Sequence, residues 1–293
     1  MNRNKVCSLD TETSLIDKTI QSGSTTTIIT RTAVGQPIGQ FYGYKVIGRF
    51  EKASDFYYKN SEGKVVPVAL PEGMSIGKNS VWIGDYIFED INGDGVINEQ
   101  DRTYIGNPNP KFTYGIGNSF SYKGFDLNVY LSGSYGNDVV NWMRTALENP
   151  RENTNLLKSA LDYAKLELID PNGPDDYRNI RIVGGDPYMP RMANSSASNA
   201  SNYRFSDRFV EDGSYLRIQS ISLGYTFPRK WISKMKLQNL RLYCNLQNVY
   251  TFTKYKGYDP EIGSDNQDAL LTGFDNYRYP SPRIYTFGLN VTF

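Results

Sequence analysis

Apolar and polar residues alternate strictly at the end of the chain. From Tyr285 to Phe293, the odd-numbered positions carry Tyr, Phe, Leu, Val and Phe, and the even-numbered positions carry Thr, Gly, Asn and Thr. A period of two is typical of a β-strand with one apolar face and one polar face. The pattern therefore predicts a strand over residues 285–293.

The same alternation predicts four further strands, over residues 111–122, 125–136, 214–227 and 239–253. These strands are long, because strands of soluble proteins usually have about five or six residues. Within one of them, Leu216 and Ile218 fall out of phase with the apolar residues from Ile221 onward. We interpret the first residues of that strand as projecting beyond the apolar zone.

Aromatic residues and unequal connections favour a membrane barrel. Tyr225 with Phe227, and Tyr250 with Phe252, lie at strand ends. Outer-membrane barrels have such aromatic girdles, with short turns on one side of the membrane and long loops on the other. The fold class that we predict is all-β, a partial transmembrane antiparallel β-barrel with long extracellular loops. A soluble β-sandwich is the alternative, since its inner face produces the same alternation.

Counting strands back from a periplasmic end at Phe293 assigns every segment to a side of the membrane. The transmembrane parts are the hairpins 111–136 and 214–253 and the last strand, 281–293. The extracellular loops are residues 10–110, 137–213 and 254–280, and residues 1–9 form the end of a further strand.

Two smaller elements are predicted inside these loops. Residues 41–46 have a β-like sequence and would form a strand that does not span the membrane. Apolar residues at helical spacing predict a short helix after a cap at Asn153 or Thr154. They are Leu156, Leu157, Ala160, Leu161 and Ala164.

Composition excludes several function classes. The 293 residues include no histidine, so the chain alone cannot build a Ser-His-Asp site or a histidine-ligated zinc site. The 32 basic and 31 acidic residues lack the positive excess that would indicate a nucleic-acid partner. No apolar run is long enough for a transmembrane helix. Since no pair of carboxylates is singled out either, we do not expect an enzyme.

Residues 90–101 match the twelve-residue loop that binds calcium. Oxygen donors stand at the ligand positions, and Gly95 occupies the sixth position, where the chain must turn sharply. The candidate ligands are Asp90, Asn92, Asp94, the carbonyl of Val96, Asn98 and Asp101. The alternative is a turn rich in Asn, Asp and Gly that binds no metal. We favour a structural Ca²⁺ that stiffens an outer loop.

A series of motifs resembles the SusC/RagA family of TonB-dependent outer-membrane transporters of Bacteroidota. In chain order they are Gly35–Tyr44, Asp90–Gly95, Ile105–Phe112, Asp212–Arg217, Gly224–Pro228, Asn248–Thr253, Gly257–Glu261 and Tyr279–Arg283. They are distributed along nearly the whole chain. The plug domain and the segment that contacts TonB in this family have no counterpart in the sequence.

The resemblance implies the C-terminal strands of a 22-stranded barrel. It also implies import of oligosaccharides or peptides across the outer membrane, with energy from the TonB complex through the missing N-terminal part. A SusD-like surface lipoprotein would be the partner, and the long loops would contact it. The alternative function is that of a secreted calcium-binding β-sandwich, either an adhesin or a carbohydrate-binding module. In that protein Leu127, Val129 and Leu131 would face inward.

Overall fold

The computed structural model of the chain describes residues 4–22, 25–150, 155–193 and 201–293, and β-strands dominate it. In chain order they are β1 Leu15–Ser22, β2 Thr25–Ala33, β3 Gln40–Gly43, β4 Val46–Arg49, β5 Tyr57–Lys59, β6 Val65–Pro67, β7 Leu70–Pro71, β8 Tyr86–Phe88, β9 Val96–Ile97, β10 Thr103–Gly106, β11 Phe112–Tyr122, β12 Phe125–Tyr135, β13 Asp138–Asn141, β14 Lys165–Leu168, β15 Ile180–Gly184, β16 Val210–Asp212, β17 Tyr215–Thr226, β18 Asn239–Thr253, β19 Phe274–Asp275 and β20 Ile284–Thr292.

Helical segments are short. Two α-helices lie wholly within the described residues, Met143–Leu147 and Arg229–Ile232. The 3-10 helices are Ala53–Phe56, Glu99–Asp101, Lys158–Asp162, Tyr177–Asn179, Asp207–Phe209, Ser233–Met235, Asp265–Gln267 and Ala269–Leu271. In the part of the chain that the structure describes, no helix has the length and apolar character to cross a membrane. The predicted all-β class is confirmed.

The five long strands form one antiparallel sheet in the order β11, β12, β17, β18, β20. Their bounds differ by at most one residue at each end from the strands that the alternation predicts. β11 and β12 are joined by the two-residue turn Lys123-Gly124, in which both residues have positive φ, 45° and 89°. Such turns match the twist of a hairpin. This turn and the link after β17 lie at one end of the sheet, and the long insertions leave the other end.

β17 contains a β-bulge at Gln219. Two consecutive residues of the neighbouring β12 pair with Ser220 and Ile218, so Gln219 has no partner there. One extra residue reverses the alternation of side chains. Leu216 and Ile218 therefore lie on the same apolar face as Ile221. The interpretation that the start of this strand projects beyond the apolar zone is wrong, because the bulge restores the phase.

The apolar face of the five-stranded sheet is exposed. Phe120 and Phe287 have exposed fractions of 62% and 77%. Among the described residues, the clusters of buried apolar side chains contain no residue from this sheet. The sheet is therefore a single layer, and no apolar cluster of the described residues covers its apolar face.

The three long insertions fold together into one unit, which we call the head. Its central cluster combines Ile29 and Phe41 from residues 10–110, Val140 and Phe209 from 137–213, and Phe274 from 254–280. All five side chains are at most 2% exposed. A sheet of β16, β13 and β19 joins the second and third insertions through the backbone. The insertions are thus parts of one packed structure.

Several local predictions differ from the structure. Residues 4–9, expected at the end of a strand, have no regular secondary structure. The β-like stretch 41–46 is divided between β3 and β4, which belong to different sheets. The helix predicted around Ala160 is only the 3-10 helix Lys158–Asp162, and the proposed caps Asn153 and Thr154 lie outside the described residues. Ala160 packs inward there while Leu161 is exposed, so no continuous apolar stripe forms.

Candidate functional site

The head contains a cleft of about 940 Å³. This volume lies within the range of about 300–1,000 Å³ that is typical of sites for small ligands. The walls come from several parts of the head, namely the hairpin of β1 and β2, residues 43–44, residues 72–74, the turn at 97–102, the residues around the helix Met143–Leu147, the segment 201–205, and residues 276–277. The cleft therefore depends on the packing of the insertions against each other.

Aromatic side chains form much of the cleft surface. Trp142 lies 5.9 Å from Phe205 and 5.5 Å from Phe274 between ring centroids, so its indole is supported by the central cluster. Tyr44, Tyr203 and Tyr277 also line the cleft. Amide and hydroxyl side chains lie between them, including those of Gln21, Thr26, Asn98, Thr145 and Asn276. The surface thus combines flat rings with neutral hydrogen-bonding groups.

Two arginines lie beside Tyr44 in the cleft. The Arg204 guanidinium carbon is 4.8 Å from the centre of the Tyr44 ring, and that of Arg102 is 5.2 Å away. Arg102 donates to Glu99 across 2.5 Å. Arg204 Nε donates to the carbonyl of Ser201 across 3.2 Å. Burial lowers the pKa of Arg204, because the charged guanidinium loses solvation.

A buried charge cluster holds the cleft wall from behind. Glu148 accepts hydrogen bonds from Arg144 at 2.9 Å and Arg208 at 2.6 Å. The Tyr203 hydroxyl donates to the Glu148 carbonyl across 2.7 Å. Burial raises the pKa of Tyr203 to about 12, so the hydroxyl keeps its proton at neutral pH. These contacts tie segment 201–208 to the residues after the helix Met143–Leu147.

The candidate calcium loop leads directly into the cleft wall. Asp90 accepts hydrogen bonds from the backbone N–H groups of Gly93 at 2.7 Å and Gly95 at 2.9 Å. Gly93 and Gly95 have φ of 76° and 84°, which side chains disfavour. The hydrogen bonds from Asn92 and from the Val96 N–H lower the pKa of Asp94. Asp90, Asn92 and Asp94 thus lie on one exposed turn.

The other two candidate side chains close the loop. Asp101 is fully buried, and its two oxygens accept from the N–H groups of Ile91 at 3.0 Å and Asn98 at 2.8 Å. The Asn98 side chain accepts from the Gln100 N–H. In the described part of the chain, no group of three or more His, Cys, Asp or Glu side chains is arranged to hold a metal ion. A bound cation would therefore depend on amide and carbonyl oxygens as well.

A second junction lies where the sheet meets the head. Arg217 on the polar face of β17 bonds Asp259 and Glu261, the latter at 2.7 Å, and its Nε donates to Thr251 at 3.0 Å. The side chain of Arg217 is only 3% exposed. Three of the sequence motifs, over 212–217, 248–253 and 257–261, therefore meet at this arginine. It anchors the third insertion to the sheet.

The sequence assigned no role to Arg204, to Arg217 at the end of the motif Asp212–Arg217, or to the Glu148 cluster. Charged residues within long loops are usually solvated, and no periodicity marks them. The motif 257–261 contains the partners of Arg217. Without a bulge, the alternation of β17 would put Arg217 on the same face as Ile221, which is the apolar face. The switch of phase between Ile218 and Ile221 was the available signal of the bulge.

Comparison with known proteins gives a consistent set of relatives. No family model matches the sequence. The chain is 32% identical over 263 residues to TonB-dependent receptor P3 of Formosa agariphila, covering 88% of the chain and 22% of that receptor. It is 26% identical over 208 residues to TonB-dependent receptor SusC of Bacteroides thetaiotaomicron, covering 71% of the chain and 17% of SusC.

Solved structures show the same fold. A chain of the RagAB peptide importer in its open-open state superposes with a TM-score of 0.57 at 19% identity. The match covers 99% of this chain and 25% of that one. The chain thus spans a quarter or less of the length of each of these three relatives.

Proposed function

Since the chain belongs to the SusC/RagA family of TonB-dependent receptors, we propose that it forms the C-terminal barrel portion of an outer-membrane transporter. The transporter would import oligosaccharides or peptides. The observation that carries the proposal is the single-layer sheet whose apolar face is exposed. Such a face needs a lipid environment, and its aromatic strand ends suit the membrane interfaces.

The β-sandwich alternative is not favoured by this geometry. A sandwich would cover Leu127, Val129 and Leu131 with a second sheet. These side chains are only partly buried, and none belongs to a buried apolar cluster of the described residues. Since the structure does not show a sandwich, the hypotheses of an adhesin and of a carbohydrate-binding module have no structural basis.

The sheet and the head would have different roles in the transporter. The sheet would contribute to the barrel wall, with its polar face lining the conduit. The head would contact a SusD-like surface lipoprotein and the cargo. Energy would come from the TonB complex through a part of the transporter that this chain does not supply. Movement of cargo through such a conduit makes or breaks no covalent bond.

We also propose that the loop 90–101 binds Ca²⁺. The ligands would be Asp90, Asn92, Asp94, the Val96 carbonyl, Asn98 and Asp101. Asp101 can serve although its oxygens accept N–H groups, because a carboxylate offers about four lone-pair sites. The tight backbone at Gly93 and Gly95, with both N–H groups directed at Asp90, supports the proposal. Since Asn98 and Glu99 line the cleft, the ion would stiffen a cleft wall.

A pair of substitutions in the full-length receptor tests the membrane assignment. Val129→Arg places a charge on the apolar face, and Asn128→Arg places it on the polar face of the same strand. A charge facing lipid near the bilayer centre costs roughly 2–4 kcal/mol. We expect Val129→Arg to reduce the amount of receptor in the outer membrane and Asn128→Arg to leave it nearly unchanged. Growth on the transported substrate should require both the receptor gene and TonB.

The opposite result would reject the proposal. If both variants accumulate as water-soluble folded protein, or if growth is independent of TonB, the chain is not part of a TonB-dependent transporter.

A further inference from the structure

Arg204 is a cation in the cleft without an acidic partner. In the described part of the chain, no carboxylate lies within ion-pair distance of its guanidinium, whereas the neighbouring Arg102 is paired with Glu99. The other acidic residue that lines the cleft, Glu72, is exposed. The charges of the cleft are therefore Glu72, Glu99, Arg102 and Arg204, and only Arg204 is both enclosed and unpaired.

The contacts of Arg204 leave most of its hydrogen-bonding capacity unused. A guanidinium has five N–H donors. Nε donates to the Ser201 carbonyl at 3.2 Å, and Nη2 reaches the Ser201 hydroxyl only at 3.5 Å. No described residue accepts a hydrogen bond from Nη1. The centres of the Tyr44 and Phe88 rings lie 4.8 and 4.9 Å from the guanidinium carbon of Arg204 and stabilise its charge. These ring contacts do not use the N–H groups at the edge of the guanidinium.

An oxyanion would satisfy these donors. A carboxylate or sulfate accepts two parallel N–H bonds from a guanidinium, and this arrangement is stronger than a neutral hydrogen bond. It would also compensate for the solvation that Arg204 has lost by burial. The remaining surface, with Trp142, Tyr277 and several amide and hydroxyl groups, provides flat rings and neutral hydrogen-bonding partners. Stacking rings with such partners suit the faces and hydroxyls of sugars.

We infer that the cleft binds an acidic oligosaccharide, with Arg204 receiving a carboxylate or sulfate group of the sugar. This inference rests on the proposed transport function and specifies its cargo. Arg102 adds positive potential beside Tyr44, and Trp142 and Tyr277 contact the sugar rings. Arg204 is then the residue that distinguishes acidic from neutral cargo.

The test measures binding to the full-length receptor, purified with its partner lipoprotein, by isothermal titration calorimetry. The probes are the trisaccharides of galacturonate, glucuronate and mannuronate, each paired with its neutral methyl ester. A sulfated galactose disaccharide separates sulfate from carboxylate as the preferred group, and the tripeptide Asp-Asp-Asp represents acidic peptides. We expect at least one acidic sugar to bind about tenfold more tightly than its neutral counterpart.

The variants assign the preference to Arg204. Arg204→Met should abolish the tenfold preference and leave binding of the neutral ester within about twofold. Arg178→Met is the matched control, because Arg178 is 72% exposed and lies outside the cleft. It should keep the preference. Arg204→Lys should restore part of it, since the ammonium keeps the charge but not the planar fork.

Several outcomes would overturn the inference. The first two are equal affinity for acidic and neutral sugars and no binding of any sugar. The others are tighter binding of the tripeptide than of every acidic sugar, and the same preference for acidic sugar in Arg204→Met and Arg178→Met. If Arg204→Met does not fold, the salt dependence of the affinities of the wild-type receptor tests the inference instead. Affinity for the acidic probe should fall as salt rises while that for the ester stays constant, and equal salt dependence rejects the inference. A receptor that supports TonB-dependent growth but fails these tests would leave the transport proposal intact.

Discussion

Arg217 Nη1 donates to Glu261 Oε2 across 2.7 Å, and this contact joins β17 to the insertion 254–280. The bulge at Gln219 decides which face of the sheet Arg217 occupies. The register of a strand and the position of a loop in the head are therefore coupled through one side chain.

Removal of the Arg217 charge should loosen the third insertion. In Arg217→Met, Asp259 would remain largely buried without its cation, at a cost of roughly 3–5 kcal/mol. We expect a lower unfolding temperature and faster cleavage by protease within 254–280. The control is Arg241→Met, which breaks the partly exposed pair with Asp126 and should cost only about 0–1 kcal/mol. Equal effects of the two variants would show that the junction is not an anchor.

Deletion of Gln219 should disrupt the sheet, because every residue of β17 before it would move to the opposite face. Leu216 and Ile218 would then face the polar side, and Arg217 would face lipid. We expect the deletion variant to fail to reach the outer membrane. Gln219→Ala keeps the extra residue and should assemble nearly as the wild type does, as measured by the heat-modifiable migration of the receptor on gels. Normal assembly of the deletion variant would contradict this role of the bulge.

Asp138 should make the stability of the head depend on pH. Burial raises its pKa, although the Asn107 N–H donates to it at 2.8 Å. Its favourable contribution is full below the unfolded value of about 3.9 and is lost as pH rises through the higher folded pKa. In Asp138→Asn, the unfolding temperature should therefore decrease less between about pH 4 and pH 7 than in the wild type.

The control for this prediction is Asp176→Asn. Hydrogen bonds from Arg178 lower the pKa of Asp176, so any contribution has the opposite sign, and the site is exposed. Thermal unfolding monitored by circular dichroism across the pH range compares the variants. If the unfolding temperature changed less with pH in Asp176→Asn than in Asp138→Asn, Asp138 would not be the source of the pH dependence.

Calcium should bind to the loop 90–101 and be lost when Asp90 and Asp94 are both changed to Ala. Two of the three carboxylates of the ligand set disappear in this variant, and Ca²⁺ depends on such hard oxygen donors. Metal analysis of the purified receptor, with calorimetric titration after chelation, measures the loss. The variant Asp175→Ala with Asp176→Ala removes two adjacent acidic residues elsewhere and should leave the calcium content unchanged. Equal calcium content in both double variants would reject the metal site.

The strands of the large sheet could be predicted because each has one apolar face and therefore a period of two. The bulge was missed since a one-residue insertion leaves both halves of β17 with normal alternation, merely in opposite phase. The head was hardly predictable. Its core joins Ile29, Val140 and Phe274, which are far apart in sequence and belong to strands without a clear period of two. The helix expected around Ala160 failed because Leu156, Leu157 and Leu161 are exposed in this context.

The candidate site was predicted in part. The calcium pattern was visible because its residues are contiguous, and the structure places that loop at the edge of the cleft. Arg204 and Trp142 belong to the insertion 137–213, and Tyr44 and Tyr277 join them in the cleft only through the packing of separate insertions. A single sequence contains no record of such long-range contacts.

If the head binds the cargo as proposed, the common core of the three insertions also limits how such a receptor can acquire new cargo. Exchange of one insertion for that of a relative would replace only part of the cluster around Phe41 and Phe274 and leave mismatched surfaces. Changes at side chains that face the cleft avoid this cost. We therefore expect diversification of cargo among close relatives to proceed by point substitutions on the cleft surface, with the insertions inherited together.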